Sequence, residues 1–298
     1  MKLVTYEVAG SSRTGVLVEQ RVFDAEAVLH EWRRSTGASS DQPSAIGMRD
    51  LLDGGAALLS DLETAIAQVA DDPAAVSHQL GDVRLVRPIA GTKFIGVGLN
   101  YRDHALEQNA KIPANPILFA KFDTSLIGAE DAIRYPASTA QLDFEAELGV
   151  VIGRGGRDIP LEDALAHVGG YTIVNDVTAR DLQLADRQWV RGKTLDAMTP
   201  VGPWIVTPDE VGDAGALRIS LSVNGQVMQD SSTSELIFGI AELVSFISQD
   251  FTLEPGDLIA TGTPAGVGFA RDPAVFLQRG DVVEVEIERL GRQRNEVV

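Results

Sequence analysis

The feature that most constrains the fold is a series of short apolar segments with glycines at their edges and many β-branched side chains. After Pro88, these segments occupy residues 94–97, 147–152, 170–174, 217–223 and 282–287. Their length and composition predict β-strands. Convincing helical patterns interrupt them only at residues 161–167 and 234–248. Many short strands with glycine-rich turns favour a β-roll or sandwich over alternating βαβ units.

The first 85 residues have a different pattern. Residues 1–20 alternate apolar and polar side chains around a turn at 10–12, which predicts a β-hairpin. Apolar residues then recur at helical spacing from Asp24, a suitable N-cap, to Arg34, and again over residues 44–70. We therefore expect a small α+β N-terminal domain, residues 1–85, followed by a mainly β domain, residues 86–298.

Charge and residue types exclude several classes of partner and site. The formal net charge is −18 and the sequence pI about 4.5, so we expect neither nucleic acid nor an anionic membrane as a partner. Without cysteine, the chain has no disulfide, thiolate zinc site, iron–sulfur cluster or cysteine nucleophile. We find no apolar stretch of about 18 residues and no signal peptide, so we expect a cytoplasmic protein.

The most informative segment is 141–152, in which acidic residues lead into a strongly apolar strand. Side chains at i and i+2 share a face of a strand, so Glu145 and Glu147 point the same way, with Asp143 beside them. Such neighbouring like charges need a countercharge, which a divalent cation supplies. The alternative is that they only line the solvent face of an amphipathic strand.

A third carboxylate, Asp176, follows the apolar strand of residues 171–174. With Glu145 and Glu147 it makes an all-oxygen ligand set. Such a set favours Mg²⁺ or Mn²⁺, with Ca²⁺ as an alternative, over zinc.

Three other features carry candidate chemistry. His104 and Glu107 share one face of a helical turn, where the carboxylate orients the imidazole as a general base requires; alternatively, the pair is a surface contact. Lys193 follows Gly192 in an expected turn and is a candidate cation of the site; alternatively, this segment is only a solvated turn. Residues 261–268 combine hydroxyls with glycines that let a ligand approach the backbone, or form an ordinary loop.

Taken together and in order, these segments resemble the fumarylacetoacetate hydrolase family. The resemblance covers about residues 90–290. The matching stretches are 96–104, 119–121, 125–128, 143–148, 175–183, 192–193 and 261–268.

The resemblance implies the family's mixed β-sandwich roll, a homodimer, and Mg²⁺ or Mn²⁺ held by Glu145, Glu147 and Asp176. It implies catalytic roles for His104, Glu107 and Lys193, with the first two on a mobile lid of about residues 102–112. The substrate contacts that we expect from it are Tyr101, Arg102, Lys121, Gln183, Thr261, Gly262 and Thr263.

The leading functional hypothesis is a metal-dependent hydrolase that cleaves a C–C bond in a small dioxo-acid of the acylpyruvate or fumarylpyruvate type. On the same scaffold, the alternatives are a lyase such as oxaloacetate decarboxylase, a hydroxydienoate isomerase, or a sugar-acid dehydratase or hydrolase. A nucleotide-binding oxidoreductase is hinted at by Gly96 and Gly98, but Tyr101 replaces the third glycine and no βαβ pattern follows. A non-catalytic metal-binding module has no use for His104, Glu107 and Lys193 together.

Overall fold

The computed structural model describes residues 1–37, 46–69 and 76–298, and its central feature is one large mixed β-sheet. The described strands are β1 (Lys2–Val8), β2 (Ser11–Val18), β3 (Arg21–Asp24), β4 (Ser77–Gln79), β5 (Arg84–Val86), β6 (Phe94–Gly98), β7 (Ile117–Lys121), β8 (Leu126–Ile127), β9 (Leu142–Asp143), β10 (Ala146–Ile152), β11 (Val168–Asn175), β12 (Thr178–Ala179), β13 (Thr199–Val206), β14 (Arg218–Val223), β15 (Gln226–Ser232), β16 (Leu258–Ala260), β17 (Val282–Ile287) and β18 (Gly291–Glu296).

Helices are fewer and mostly short. The described α-helices are α1 (Ala25–Thr36), α2 (Met48–Asp53), α3 (Gly55–Val69), α4 (Arg102–Glu107), α5 (Arg180–Ala185), α6 (Val190–Lys193), α7 (Pro208–Val211) and α8 (Ile240–Asp250). Single 3₁₀ turns connect several of the strands. In the described part of the chain, no helix is long and apolar enough to cross a membrane.

The large sheet runs in the order β4-β3-β2-β1-β13-β11-β10-β16-β6-β7, with β5 paired to β1 and β8 to β13. A separate four-stranded sheet, β15-β14-β17-β18, contributes its buried face to the main apolar core. This mixed arrangement, with few helices, confirms the expected α+β, mainly β fold class.

Strand β1 joins the N-terminal hairpin to the rest of the molecule, because it pairs with β2 on one side and with β13 on the other. The expected hairpin is present, and helix α1 begins after Asp24, whose side chain accepts a hydrogen bond from the backbone N–H of Ala27. The helical pattern expected over 44–70 forms α2 and α3, although residues 44, 45 and 70 lie outside the described residues. The boundary at residue 85 stays a prediction, since one sheet contains strands from both sides of it.

Two expected helices differ from the observed elements. Residues 161–167 form a 3₁₀ helix, Leu161–His167. The helix expected over 234–248 begins only at Ile240, because Gly239 is its N-cap and donates its N–H to the side chain of Glu242 at 2.8 Å. Residues 234–235 belong instead to a separate 3₁₀ turn, Thr233–Glu235.

Strands β10 and β11 form the centre of the fold. They pair antiparallel with each other, and all seven residues of β10 are buried. A continuously buried strand cannot be an amphipathic surface strand, so the solvent-face alternative for Glu145 and Glu147 is wrong. Both carboxylates lie in the interior, with 4% and 2% of their surfaces exposed.

We predict that Asp24→Ala lowers the free energy of unfolding by about 2–4 kcal/mol. Asp24 caps α1, and its second oxygen accepts a hydrogen bond at 2.7 Å from the hydroxyl of Tyr6, a fully buried side chain. The substitution removes the cap and leaves that hydroxyl unpaired. Urea unfolding measures the loss. Asp24→Asn keeps a capping oxygen and should lose less, so equal losses in both variants would contradict this explanation.

Candidate active site

Three carboxylates converge where β10 begins and β11 ends. The register pairs Ala146 with Asn175, so the residues that flank this pair, Glu145, Glu147 and Asp176, come together. One oxygen from each of the three lies within 4.8 Å of the others. The backbone fixes this meeting, because the N–H of Asp176 donates to the carbonyl of Glu145 at 2.8 Å.

Three cations surround this carboxylate group. Nζ of Lys193 lies 2.5 Å from Glu145 Oε2 and 2.6 Å from Asp176 Oδ2. Nη2 of Arg180 lies 2.6 Å from Glu145 Oε1, and Lys121 forms an ion pair with the other oxygen of Asp176. All three cations are buried. The interpretation of Lys193 as a residue of a solvated turn with little packing is therefore wrong, since α6 places it in the interior.

The surroundings separate the protonation behaviour of the two glutamates. Burial alone would raise the pKa of Glu145, but the charges of Lys193 and Arg180 outweigh burial and lower that pKa to about 2. Burial also raises the pKa of Glu147, and here Asp176 and Glu145 add repulsion, so the pKa lies well above its usual value.

The donor set fits a divalent cation. Among the described residues no cation pairs with Glu147, whose hydrogen-bond donor is the backbone N–H of Gly262 at 2.9 Å. A buried carboxylate without a cationic partner, next to two others, is a site that a hard cation would neutralise through oxygen ligands. Glu145, Glu147 and Asp176 are the residues that would hold it.

Asp143, expected beside Glu145 and Glu147, has a different role. It lies in β9, and residues 144–145 separate β9 from β10, so the two glutamates are not on one uninterrupted strand with it. Its carboxylate binds Nε of Arg180 at 2.8 Å and accepts the backbone N–H of Gly268 at 2.7 Å. Asp143 therefore orients Arg180 and the loop of residues 261–268.

Helix α4 covers the carboxylate group and carries the expected histidine pair. Nδ1 of His104 lies 3.0 Å from Oε2 of Glu107, and the other oxygen of Glu107 accepts the N–H of Gly266 at 2.9 Å. His104 is buried, so the surface-contact alternative is wrong. Leu106, an apolar side chain of this helix, is 81% exposed. The helix is held by polar contacts, and the mobility of the expected lid, about residues 102–112, stays a prediction.

A cavity of about 180 Å³ opens between α4 and the carboxylate group. Of the expected site residues, His104, Lys193, Gln183, Thr263, Glu145 and Glu147 line it. The remaining ones lie outside its lining. Tyr101 and Thr261 are fully buried. The backbone N–H of Gly262 donates to Glu147, and Lys121 pairs with Asp176. Arg102 is exposed and donates to the carbonyl of Ser234.

Sequence reasoning missed one wall of this cavity. Trp189 lines it and packs edge-on against Phe119, with ring centroids 5.8 Å apart. A Cβ atom on Gly98 would lie 2.2 Å from the Trp189 ring, so the absence of a side chain there makes room for the indole. Arg180 and Gln108 were also not singled out. The usable signal for Arg180 was a cation placed shortly after β11 and Asp176.

A model of the family described as fumarylacetoacetate (FAA) hydrolase C-terminal matches residues 93–298. The chain belongs to the fumarylacetoacetate hydrolase family, which confirms the resemblance, and it is an enzyme of that family. A solved structure of fumarylacetoacetate hydrolase from psychrophilic Exiguobacterium antarcticum superposes with a TM-score of 0.81 at 37% sequence identity, and the match covers 100% of this chain and 99% of that one.

Two curated relatives are similar in sequence and differ in activity. The mitochondrial oxaloacetate tautomerase Fahd2a of Rattus norvegicus is 47% identical to this chain. The match covers 69% of this chain and 66% of that protein's length. The 2,4-didehydro-3-deoxy-L-rhamnonate hydrolase of Sphingomonas sp. (strain SKA58) is 45% identical over 79% of this chain and 84% of its own length. The family therefore acts on small acids by more than one reaction.

We predict that Glu147→Gln raises the melting temperature of the chelated protein at neutral pH. Unfolded Glu147 loses its proton near its usual pKa of 4.5, whereas the folded protein keeps the proton to higher pH. The folded state then binds more protons, so Glu147 lowers stability as pH rises above its usual pKa. Glu147→Gln removes this pH-dependent loss of stability. The variant should also lose the stabilisation that we expect Mn²⁺ to give the parent.

Thermal unfolding in EDTA and in Mn²⁺, from about pH 5 to about pH 8, measures both effects. Glu162→Gln, at an exposed position, is the matched control and should behave as the parent. A chelated Glu147→Gln protein that melts below the parent throughout this range would show that Glu147 stabilises the fold as an anion.

We predict that Gly98→Ala lowers kcat/KM for a small oxo-acid by about ten- to a hundredfold, because displacing the Trp189 indole misplaces the substrate. The added Cβ meets ring atoms that can move only by disturbing the cavity wall. Steady-state kinetics measure the change. Gly81→Ala adds a methyl group where no atom lies within 4 Å, and an equal effect there would disprove the steric argument.

Proposed function

We propose that the protein uses a divalent metal ion to enolise a small 2-oxo acid, and that its substrate is an oxaloacetate-like acid. The observation that carries the proposal is the buried group of Glu145, Glu147 and Asp176 with Lys193 against it. The relative at 47% identity, named an oxaloacetate tautomerase, supports tautomerisation as the reaction. A bound divalent ion would supply Lewis-acid polarisation of the 2-oxo group.

Lys193 and Arg180 supply fixed positive charge on the cavity wall. Both are buried and held by carboxylates, so they need not reorganise when negative charge develops on an enolate oxygen. The same charges attract the substrate's carboxylate, although the molecule as a whole is acidic. These cations are paired with buried carboxylates, so the net charge of the site would become positive only with a divalent ion bound.

His104 is the group that would move the proton. Its Nδ1 faces a carboxylate oxygen of Glu107, which requires a hydrogen on Nδ1 and leaves the lone pair on Nε2. In tautomerisation Nε2 removes a proton from C3 of the acid and then returns a proton to the 2-oxo oxygen of the enolate, which gives the enol and restores the neutral imidazole. The cavity of about 180 Å³ is of a size that suits a small acid.

C–C hydrolysis of an acylpyruvate-like or fumarylpyruvate-like dioxo-acid is the second candidate. The His104–Glu107 pair favours it, because a base oriented by a carboxylate is what activation of water requires. The relative named a rhamnonate-derivative hydrolase supports the same alternative. The decarboxylase, lyase and dehydratase alternatives share the enolate step and stay hypotheses. A homodimer, a cytoplasmic location and the identity of the metal also stay predictions.

We expect the Mn²⁺-loaded protein to accelerate interconversion of enol and keto oxaloacetate, followed by the absorbance of the enol. Chelation should abolish the acceleration, and added Mn²⁺ should restore it. Lys193→Met should lower kcat by about 10²–10³-fold, as expected for loss of a preorganised charge. His104→Ala should lower it by about 10²–10⁴-fold, as expected for loss of a base.

Lys93→Met is the matched control, since Lys93 lies outside the cavity lining and pairs with Glu254 and Asp257. Lys193→Met also leaves two buried carboxylates less well paired, so its melting temperature is measured in Mn²⁺ alongside its kinetics. Full activity after exhaustive chelation would refute the metal requirement. Unchanged kcat/KM in a destabilised Lys193→Met would assign the lysine to folding alone.

A further inference from the structure

We infer that Gln108 is a positioning residue that keeps water away from Nε2 of His104, and so biases the site toward enolisation over hydrolysis. This inference rests on the proposed function, in which His104 moves the proton. Gln108 is the C-cap of α4 and lines the cavity beside His104. Its side-chain Nε2 lies 2.5 Å from Nε2 of His104.

The other ring nitrogen of His104, Nδ1, determines which group donates the hydrogen bond in this contact. Since Glu107 accepts from Nδ1 of His104, the lone pair is on Nε2, and the Gln108 amide donates to it. The atom that must take a proton in either reaction is therefore already occupied by a donor. Water or substrate reaches Nε2 only by displacing the amide.

The two reactions differ in what they require at this position. Enolisation needs only C3 of the acid near Nε2. Hydrolysis needs a water molecule between Nε2 and the distal carbonyl: its hydroxyl adds to that carbonyl, its proton goes to Nε2, the C–C bond breaks, and C3 takes a proton. A water needs about 30 Å³ of space, which is about one sixth of the 180 Å³ cavity, and it needs that space beside the base, where the Gln108 side chain lies.

Two substitutions separate volume from hydrogen bonding. Gln108→Ala removes the amide and opens space for water, whereas Gln108→Leu removes the donor but keeps an apolar side chain of similar size. On the Mn²⁺-loaded enzyme, tautomerisation of oxaloacetate and hydrolysis of acetylpyruvate to acetate and pyruvate are measured in parallel. Gln108→Ala should raise the ratio of hydrolysis to tautomerisation by about three- to tenfold, the worth of the one hydrogen bond that an admitted water makes to Nε2. Gln108→Leu should not raise it.

Leu106→Ala, at an exposed position of the same helix, is the control for a loosened lid and should leave the ratio unchanged. A purely structural role for Gln108 would lower both rates together. The inference is overturned if Gln108→Ala changes both rates by the same factor, or if Gln108→Leu raises the ratio as much as Gln108→Ala.

A spectroscopic readout keeps this test separate from the proposed function. The chain has four histidines, so ¹⁵N-histidine NMR, assigned with His104→Ala, resolves the imidazole nitrogens of His104. The Nε2 resonance should shift in Gln108→Leu and stay in place in Leu106→Ala. An unmoved resonance in Gln108→Leu overturns the inference. A parent enzyme inactive on both acids refutes the proposed function, while the resonance still reports the contact.

Discussion

The structure depends on burying an unequal number of opposite charges at one point in its core. Four buried carboxylates, those of Asp143, Glu145, Glu147 and Asp176, face three buried cations, Lys121, Lys193 and Arg180. One negative charge is left over, and burial, together with repulsion from Asp176 and Glu145, raises the pKa of Glu147. A divalent ion would change this excess to one positive charge, which a substrate carboxylate neutralises. Burying a charge is tolerable only when it is paired, so a metal and a substrate would complete an arrangement that the fold leaves incomplete.

Strand pairing positions most of the buried carboxylates. Glu145 and Asp176 are held by a backbone hydrogen bond at the ends of β10 and β11, while Glu147 is held by the loop after β16. The sequence predicted these three residues because period-two alternation and apolar strands are local signals. It also predicted the main strands, whose glycine-bounded apolar runs match β6, β10, β11, β14 and β17 closely.

What the sequence could not predict depends on contacts between distant segments. Whether Lys193 is solvated or buried is decided by its ion pairs with Glu145 and Asp176, and no local pattern encodes those pairs. Trp189 becomes a cavity wall only because Gly98, on another strand, leaves space for it. The late start of α8 is different, since the Gly239 cap was present in the sequence but the apolar periodicity outweighed it.

The carboxylate group and α4 have different roles, and this difference explains how one scaffold supports more than one reaction. In the proposed reactions, the cations of the site and a metal held by the carboxylate group would stabilise negative charge on an oxo-acid, and every candidate reaction passes through such charge. They cannot distinguish between products. The distinction requires control of which atom approaches His104, and the residues in position to exert it lie on α4, where Glu107 and Gln108 occupy both imidazole nitrogens. Glu107 also bonds to Gly266, in the loop whose Gly262 holds Glu147, so a movement of α4 alters the base and the loop that supports the carboxylate group together.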